Sequence, residues 1–502
     1  MNPIYRSGLL AGAVSALLLS ACGGGGGGAD GELSVQEAFA QRTAKSEPLR
    51  QICAEPRATD TAGLLADERD WLATYMDEVY LWFDEIPNRN ASSYTAATYG
   101  GNREAMQAYF DDLLTEATTG SGAAKDQFSF TFDTAEYSAL AQSGIQLSYG
   151  FQADLISRSP PREIVIAYTN PNTPASAESI SRGARIEAID GEPVVDGDSA
   201  VLNAGLFPDE DDRTHTFTIR DRGAATTRDV TLTARQITLD PVQNVKTITT
   251  NTGLVGYFLF NDFIATAEGE LYRAIRDLAA AGISDLVLDM RYNGGGFLDI
   301  SGELGYQVAG PAATNGRVFE ILRFNRKNPL GRTPDLATPF HRTTQGFDGS
   351  VANGTRLSSL DLPRVFVLTG PGTCSASESL INGLQGIDVE VIRIGDTTCG
   401  KPFGFFQWDN CGLSYFAIEF EGVNDKGEGG FSDGIAPTCD VADDYDNDLG
   451  DPAEARLAAA LNYRDTGSCP VVAKRNADVE VIPLRSVLRE NAYRRLPLEL
   501  QQ

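Results

Sequence analysis

Histidine and basic residues are scarce in this chain. Its 502 residues include 2 histidines, His215 and His341, and neither lies in a recognisable triad or HExxH motif. This argues against a Ser-His-Asp triad and against a histidine-based metal hydrolase. Acidic residues outnumber basic ones, 69 to 41, and the net charge of −28 argues against a nucleic-acid partner, which needs clustered Lys and Arg. We therefore expect no nucleic acid, no metal and no other cofactor.

The apolar segment at the N-terminus is too short for a membrane span. Residues 1–22 have one early arginine, an apolar stretch and then small residues, which is typical of a signal peptide. The last four, Leu19-Ser20-Ala21-Cys22, resemble a bacterial lipoprotein box, which implies lipidation of Cys22 and a membrane partner through that lipid. Gly23 resembles the outer-membrane sorting choice. We expect a bacterial envelope protein facing the periplasm on a flexible tether, residues 23–50, that begins with six glycines.

Cysteine spacings of the CxxC zinc type are absent. The chain has 7 cysteines, and lipidation of Cys22 leaves an even number, which predicts disulfides outside the cytoplasm. These six are Cys53, Cys374, Cys399, Cys411, Cys439 and Cys469. We favour the pair Cys399–Cys411, because the two flank a predicted hairpin.

Hydrophobic periodicity divides the rest of the chain into four parts. Residues 51–140 carry apolar side chains at helical spacing and predict a helical N-terminal domain. Residues 141–240 contain short alternating runs and predict a β-rich domain. Residues 241–470 alternate strand and helix patterns, which predicts an α/β core. Residues 471–502 form a C-terminal tail.

Two stretches of the β-rich domain are similar to PDZ domains. The segment SYGFQADLI resembles their carboxylate-binding loop, and SISRGARIEAIDGEPV resembles a later stretch, although Ala184 replaces the usual aspartate. The resemblance implies that N–H groups of Tyr149, Gly150 and Phe151 bind a peptide C-terminal carboxylate, while the neighbouring strand edge accepts an added strand. The alternative is a generic hairpin with a glycine turn. We name residues 141–240 the PDZ-like region.

The segment TCSASES, residues 373–379, supports two interpretations. Ser375 and Glu378 match a capping box at the start of a helix. Ser375 also follows the buried strand pattern RVFVLTG, and active sites of α/β cores lie where strands end and helices begin. The N–H groups of the first helical turn would face an oxyanion there. A nucleophilic serine needs a base as well.

Lys401 is the candidate base. It follows Ser375 by one helix and one strand, and it precedes the aromatic segment PFGFFQW. Burial among aromatics lowers the pKa of a lysine, so that its neutral amine can accept a proton. The glycines of DMRYNGGGF allow close backbone approach, and Gly294 or Gly295, together with the N–H of Ala376, could form an oxyanion hole. A solvated lysine and a structural glycine turn are the alternatives.

Three segments occur in a family-specific order after the PDZ-like region. They are Arg291-Tyr292-Asn293-Gly294-Gly295-Gly296, Ser375-Ala376-Ser377-Glu378 and Thr398-Cys399-Gly400-Lys401. Together they resemble the S41 family of tail-specific, or C-terminal processing, serine peptidases. The resemblance implies a ClpP- or crotonase-like α/β protease core with a preceding or inserted PDZ domain. It also implies Ser375 as nucleophile, Lys401 as general base, and protein or peptide substrates recognised through their C-termini.

The chain departs from the family pattern at the third catalytic residue. Many members have a glutamine where this chain has Phe405, so Gln407 is the nearest orienting candidate, and some have an aspartate where Gly386 stands. Cys374 and Cys399 flank the candidate pair and could clamp it through disulfides. A peptide-binding lipoprotein that keeps the fold without turnover therefore remains an alternative. We interpret the acidic segment 443–451 as a loop rather than a calcium site, because it lacks the required glycine and glutamate.

Overall fold

The computed structural model describes residues 34–157, 160–332 and 336–470, together with the backbone of residues 482–484. The predicted signal peptide, Cys22 and most of the tail lie outside these residues. No helix within the described part is long and apolar enough to cross a membrane.

The N-terminal part, up to residue 143, is mostly helical. Its elements are α1 (Val35–Gln41), β1 (Ile52–Cys53), β2 (Thr61–Ala62), α2 (Leu65–Val79), α3 (Ala96–Tyr99), α4 (Asn102–Asp112), β3 (Phe130–Asp133) and α5 (Thr134–Ser143). Trp71, Leu72, Tyr75 and Val79 are buried on one face of α2, as their helical spacing predicts.

The PDZ-like region is a β-rich unit with two short helices. Its elements are β4 (Ile145–Ser148), β5 (Phe151–Leu155), β6 (Ile164–Thr169), α6 (Pro174–Ala177), β7 (Arg185–Ile189), β8 (Glu192–Pro193), α7 (Ser199–Leu206), β9 (Thr214–Arg220), β10 (Arg228–Thr233) and β11 (Arg235–Thr238). Five strands of this region lie in the order β10-β9-β7-β6-β5, with β8 on β7, and the tail strand Ile482–Leu484 adds to β5 to complete a seven-stranded sheet, while β4 pairs with β11. An apolar core that includes Ile166, Ile186 and Phe217 fills this unit.

The C-terminal part contains alternating strands and helices. Its elements are β12 (Val242–Thr250), β13 (Gly253–Phe260), α8 (Ala267–Ala281), β14 (Asp285–Asp289), α9 (Leu298–Ala313), β15 (Val318–Phe324), β16 (Ala337–Pro339), β17 (Arg364–Thr369), α10 (Ala376–Gly386), β18 (Glu390–Gly395), β19 (Phe403–Gly404), β20 (Trp408–Asn410), β21 (Leu413–Phe416), β22 (Phe420–Val423), β23 (Cys439–Asp440), α11 (Ala455–Thr466) and β24 (Ile482–Leu484).

A six-stranded sheet organises this part and confirms the predicted α/β core. Its strand order is β12-β13-β14-β17-β18-β23, and every pair except β12–β13 is parallel. Helices α8, α9 and α10 pack on one face through one apolar cluster, and α11 packs on the other face. The loop after β14 contains Gly294–Gly296 and is called the glycine loop, and the loop after β17 contains Ser375. Because β14 and β17 are parallel neighbours, both loops emerge at the same edge of the sheet.

The N-terminal helices are not an independent domain, in contrast to the predicted division at residue 140. Strand β3 pairs with β21, and Trp71 and Phe110 share an apolar cluster with Tyr415. The predicted tether also ends earlier than residue 50. Helix α1 is ordered, and its Ala38 packs with Leu330 and Leu336. In both cases apolar contacts distant in the sequence decide the boundary, and local composition does not report them.

All six of the remaining cysteines form disulfides, but the favoured pair is wrong. The bonds are Cys53–Cys411, Cys374–Cys399 and Cys439–Cys469. The Cys399 N–H donates to the Thr373 carbonyl at 3.0 Å, which brings Cys399 beside Cys374. Cys411 lies in the β20–β21 turn and reaches the N-terminal part instead. Tertiary contacts therefore override the short spacing on which the Cys399–Cys411 pairing rested.

Candidate active site

Ser375 lies at the junction between the loop after β17 and the first turn of α10. Its backbone has φ 56° and ψ −118°, a conformation that costs a non-glycine residue about 1–3 kcal/mol and persists only when its surroundings impose it. The surroundings are bonds to the loop after β14. The Cys374 N–H donates to the Asn293 carbonyl at 3.0 Å, and Ser377 Oγ donates to the same carbonyl at 3.0 Å. The side chain of Ser375 is partly exposed, although its neighbours are buried.

Glu378 connects the Ser375 segment to the Lys401 segment. Its Oε2 accepts the N–H of Ser375 at 2.9 Å, as the capping box predicts, and the N–H of Lys401 at 2.8 Å. Its Oε1 accepts the N–H of Gly400 at 2.8 Å and Thr398 Oγ1 at 2.5 Å. Burial raises the pKa of Glu378, and these hydrogen bonds oppose that rise. One buried carboxylate therefore holds the two candidate catalytic residues side by side.

The Lys401 side chain is buried among aromatic rings, as the sequence predicts. It is 7% exposed, and its Nζ lies 4.2 Å from the centre of the Phe405 ring. A second ring, Phe128, lies 5.5 Å from Nζ and comes from the N-terminal part. Sequence reasoning missed Phe128, because its contact with Lys401 requires the packing of the N-terminal helices against β21. The Cys374–Cys399 disulfide links the segment of Ser375 to the segment of Lys401.

The glycine loop meets Ser375 directly. Gly295 has φ 96°, and a Cβ at this position would lie 2.7 Å from Ser375 Cβ and 2.9 Å from the Ala376 nitrogen. Only glycine allows this approach without displacing the serine. The Gly295 N–H donates to Asn293 Oδ1 at 2.9 Å, whereas the Gly294 N–H has no hydrogen-bond partner among the described residues.

Arg291 holds the glycine loop in place through buried ion pairs. It is 1% exposed and forms ion pairs with Asp289 at 2.9 Å, Asp443 at 2.6 Å and Glu454 at 2.8 Å. These carboxylates raise the pKa of Arg291 against the effect of burial. The acidic segment 443–451 thus supplies Asp443 as a structural counter-charge. A buried charge with this many partners is stabilised, and the network holds the loop after β14 in place.

The same network joins the PDZ-like region to the glycine loop. Arg182 donates to Tyr292 Oη at 2.6 Å and to Asp443 Oδ1 at 2.5 Å, and Tyr292 Oη donates to Asp443 Oδ2 at 2.6 Å. These three hydrogen bonds therefore connect parts of the chain that are distant in the sequence. Neither Asp443 nor Arg182 was identified from the sequence, because a lone charged residue carries no pattern that reveals its partner.

Residues 254–409 match the model of peptidase family S41. This part of the chain is a peptidase family S41 domain. A carboxyl-terminal-processing protease of Picosynechococcus is 28% identical over 287 residues, covering 56% of this chain and 60% of that protein. One from Synechocystis is 28% identical over 207 residues, covering 40% and 42%. The chain thus matches less than two thirds of the length of these curated relatives.

A solved structure shares the fold around the S41 domain. A protein from Bacteroides fragilis, described as an S41 protease, superposes with a TM-score of 0.61 at 23% identity. The match covers 79% of this chain and 97% of that protein. At this level of identity the likeness supports the fold alone, and it extends beyond the S41 domain.

Gln407, the orienting candidate, forms hydrogen bonds within its own hairpin. The Gln407 amide donates to Asp409 Oδ1 at 2.9 Å and to Ser414 Oγ at 3.2 Å, within the hairpin formed by β20 and β21. Gly386, at the position of an aspartate in some members, packs against Asn424. The ring of Phe405 occupies the space next to Lys401 Nζ, where the family pattern has a glutamine.

Each of the two histidines pairs with an aspartate. His215 Nδ1 lies 2.5 Å from Asp190 Oδ2 in the PDZ-like region, and His341 Nε2 lies 2.8 Å from Asp299 Oδ1. Within the described residues, neither histidine forms a hydrogen bond with Ser375.

One group of side chains at the S41 site has the composition of a metal site. The ligand atoms of Cys374, Glu378 and Cys399 lie within 4.8 Å of one another. Metal binding by cysteine requires thiolates, and the Cys374–Cys399 disulfide removes both of them. The group therefore offers a metal one carboxylate that already accepts four hydrogen bonds.

The predicted carboxylate-binding loop lies between β4 and β5. Gly150 has φ 93°, its N–H donates to Ser148 Oγ at 3.0 Å, and its carbonyl accepts the N–H of Asn170 at 2.8 Å. Tyr149 is buried, and Phe151 begins β5. The loop thus lies at the start of β5, with the Gly150 N–H bonded to Ser148, and its binding of peptide remains a prediction.

Proposed function

We propose that this chain is a serine endopeptidase that cleaves proteins or peptides near their C-termini with a Ser375–Lys401 dyad. The observation that carries the proposal is the Glu378 carboxylate, one oxygen of which accepts the N–H groups of both Ser375 and Lys401. The glycine loop of the S41 domain approaches Ser375 from the other side. The names of the curated relatives are consistent with this substrate class.

In the proposed reaction, Ser375 Oγ attacks the scissile carbonyl carbon while neutral Lys401 Nζ accepts the hydroxyl proton. Negative charge then develops on the carbonyl oxygen, facing the N–H groups of Gly294 and Ala376, and each such donor typically contributes about 3 kcal/mol. We favour Gly294 over Gly295, because the Gly295 N–H already donates to Asn293. Protonated Lys401 gives its proton to the leaving amine, and water then hydrolyses the acyl-enzyme by the same route.

Burial among Phe405 and Phe128 supports the role of Lys401 as a base. The Lys401 side chain is 7% exposed, and removal from water disfavours a charged ammonium group relative to the neutral amine that can accept a proton. We further propose that the PDZ-like region binds substrate C-termini at the Tyr149-Gly150-Phe151 loop. Lipidation of Cys22 would hold the enzyme at the outer membrane, facing the periplasm.

Substitution of the dyad tests the proposal. We expect Ser375→Ala and Lys401→Arg each to lower kcat on a labelled casein substrate by at least about 10⁴-fold, because the pair acts as a unit and arginine keeps its proton. His215→Gln and His341→Gln are the controls and should retain near wild-type cleavage. Mass spectrometry after treatment with a fluorophosphonate should find the label on Ser375.

Two outcomes would contradict the proposal. Near wild-type cleavage by Lys401→Arg would show that another group is the base. Absence of both cleavage and Ser375 labelling in the wild type would favour the peptide-binding alternative, in which the Gln407 amide has, among the described residues, only its contacts within the hairpin.

A further inference from the structure

The outer edge of β5 is occupied by a segment of the tail. Strand β24 pairs antiparallel with β5, with Ile482 opposite Leu155, Pro483 opposite Asp154 and Leu484 opposite Ala153. The other edge of β5 is paired with β6. The tail strand therefore completes the sheet at the edge that would otherwise be open to an added strand.

The direction of this pairing matches that of a bound peptide C-terminus. Moving from Ile482 to Leu484, the tail passes residues of β5 that lie progressively closer to Phe151 and the loop at Tyr149 and Gly150. A peptide whose carboxylate binds that loop would add to β5 in the same orientation. The tail strand and such a peptide thus need the same row of backbone N–H and C=O groups.

We infer that the segment around Ile482–Leu484 is an internal ligand of the β5 edge, competing there with substrate C-termini. The inference rests on the proposed peptide-binding role of the PDZ-like region, but not on catalysis by Ser375. A substrate engages this edge only while the tail strand is displaced.

The anchoring of the tail favours binding within one chain. The Cys439–Cys469 disulfide ties the beginning of the tail to β23 of the central sheet. The strand at Ile482 is therefore connected to the core by the short stretch of chain that follows Cys469. A short connection gives an effective concentration in the millimolar range, so that even a weakly binding strand can occupy the edge.

The tail strand lacks one interaction that a substrate C-terminus would make at this edge. The sequence continues after Leu484 through Gln502, so no free carboxylate follows the strand at the loop. A substrate with a free C-terminal carboxylate gains an interaction that the tail lacks, and it can therefore compete.

The test compares three mature chains in the Ser375→Ala background, which prevents cleavage during the measurement. One is full length, one stops after Pro470 and retains Cys469, and the matched control stops after Arg489 and retains β24. The probe is a fluorescent peptide of residues 477–486, with a free C-terminal carboxylate or with an amide. We expect the chain ending at Pro470 to bind the acid probe at least about tenfold more tightly than the other two chains, and more tightly than the amide.

Hydrogen exchange provides a second measurement that does not depend on the probe. The amides of Ala153–Leu155 should exchange faster in the chain ending at Pro470 than in the chain ending at Arg489. Equal probe affinity in all three chains, no binding to the shortest chain, or unchanged exchange in β5 would overturn the inference. Occupation by the tail of a second copy would make the protection depend on protein concentration, and would also overturn binding within one chain. Catalytic failure of the wild type would leave these results unaffected, so the two proposals can be distinguished.

Discussion

Two buried glutamates, one within helix α10 and one packed against it, have different surroundings. Glu378, in the first turn of the helix, accepts hydrogen bonds from four donors in two separate segments. Glu320, in β15, accepts one from Ser379 Oγ at 2.8 Å, and its Oε2 has no partner among the residues that the structure describes. Burial raises the pKa of Glu320 to about 7. Glu378 is 0% exposed and Glu320 is 5% exposed, so burial alone does not separate them.

The difference shows what distinguishes a site from a buried polar residue in this fold. Glu378 receives its donors from Ser375 and from Thr398 to Lys401, so its free energy of burial is coupled to the geometry of the candidate dyad. Glu320 has one neighbouring partner, and its loss would alter no loop that carries a candidate catalytic group. Hydrogen bonds to a charged acceptor are stronger than neutral ones, and unsatisfied buried groups are costly.

The largest expected effect comes from Glu378→Gln. The new amide group would face N–H donors in place of an acceptor oxygen, which separates the Ser375 and Lys401 segments. We expect kcat/KM on labelled casein to fall by about 100-fold or more, measured on protein whose folded fraction is confirmed by circular dichroism.

Glu320→Gln is the matched control for this experiment, because it changes a buried glutamate beside the same helix. It should retain activity within about threefold of wild type, since Ser379 Oγ can still donate to the new amide oxygen. Equal activity losses in the two variants would show that burial near α10, rather than the contacts of Glu378, explains the effect.

An intermediate effect is expected from removing the disulfide that spans the same two segments as Glu378. The Cys374→Ala/Cys399→Ala variant should lose about 2–4 kcal/mol of unfolding free energy, the usual range for a disulfide. Activity should fall less than in Glu378→Gln, because the four hydrogen bonds remain. Urea denaturation and kcat/KM measure the two effects.

A variant without the Cys439–Cys469 disulfide serves as the comparison, because that bond lies away from the Ser375 loop. It should lose stability without a comparable loss of activity in its folded fraction. If both variants lost activity equally, the Cys374–Cys399 bond would have no specific role at the site.

The smallest expected effect is a pH-dependent gain of stability in Glu320→Gln. The pKa of Glu320 is about 7 in the folded chain and near its ordinary value of 4.5 when unfolded. Between these values the unfolded chain loses a proton that the folded chain keeps, so wild-type stability falls as the pH rises through this window. The variant lacks this loss, and its stability relative to wild type should rise by at most about 3 kcal/mol from pH 4 to pH 8.

Urea denaturation of both proteins at several pH values measures this difference. A constant difference across the range would mean that Glu320 titrates alike in the folded and unfolded chains. A relative loss of stability at high pH would reverse the sign of the argument and indicate a partner that favours the charged carboxylate.

The comparison also explains what sequence patterns could and could not predict here. The Ser375–Glu378 capping pattern, the glycine loop and the aromatic segment after Lys401 are local, and the structure has each where its pattern predicts it. The other contacts of Glu378 come from residues 20 to 23 positions later, and Phe128 comes from another part of the fold. No local spacing encodes these distances. The Cys399–Cys411 pairing failed for the same reason.

The sequence by itself determined the alternation of strands and helices, the α/β class of the core and the order of the three family segments. Periodic burial and turn chemistry act over a few residues, so their signals are present in the chain itself. Only the tertiary structure decided that the N-terminal helices join the core, that Gln407 bonds within its own hairpin, and that Ile482–Leu484 lies on β5. Each of these depends on packing between segments far apart in the chain, where the free energy comes from surfaces that exist only after folding.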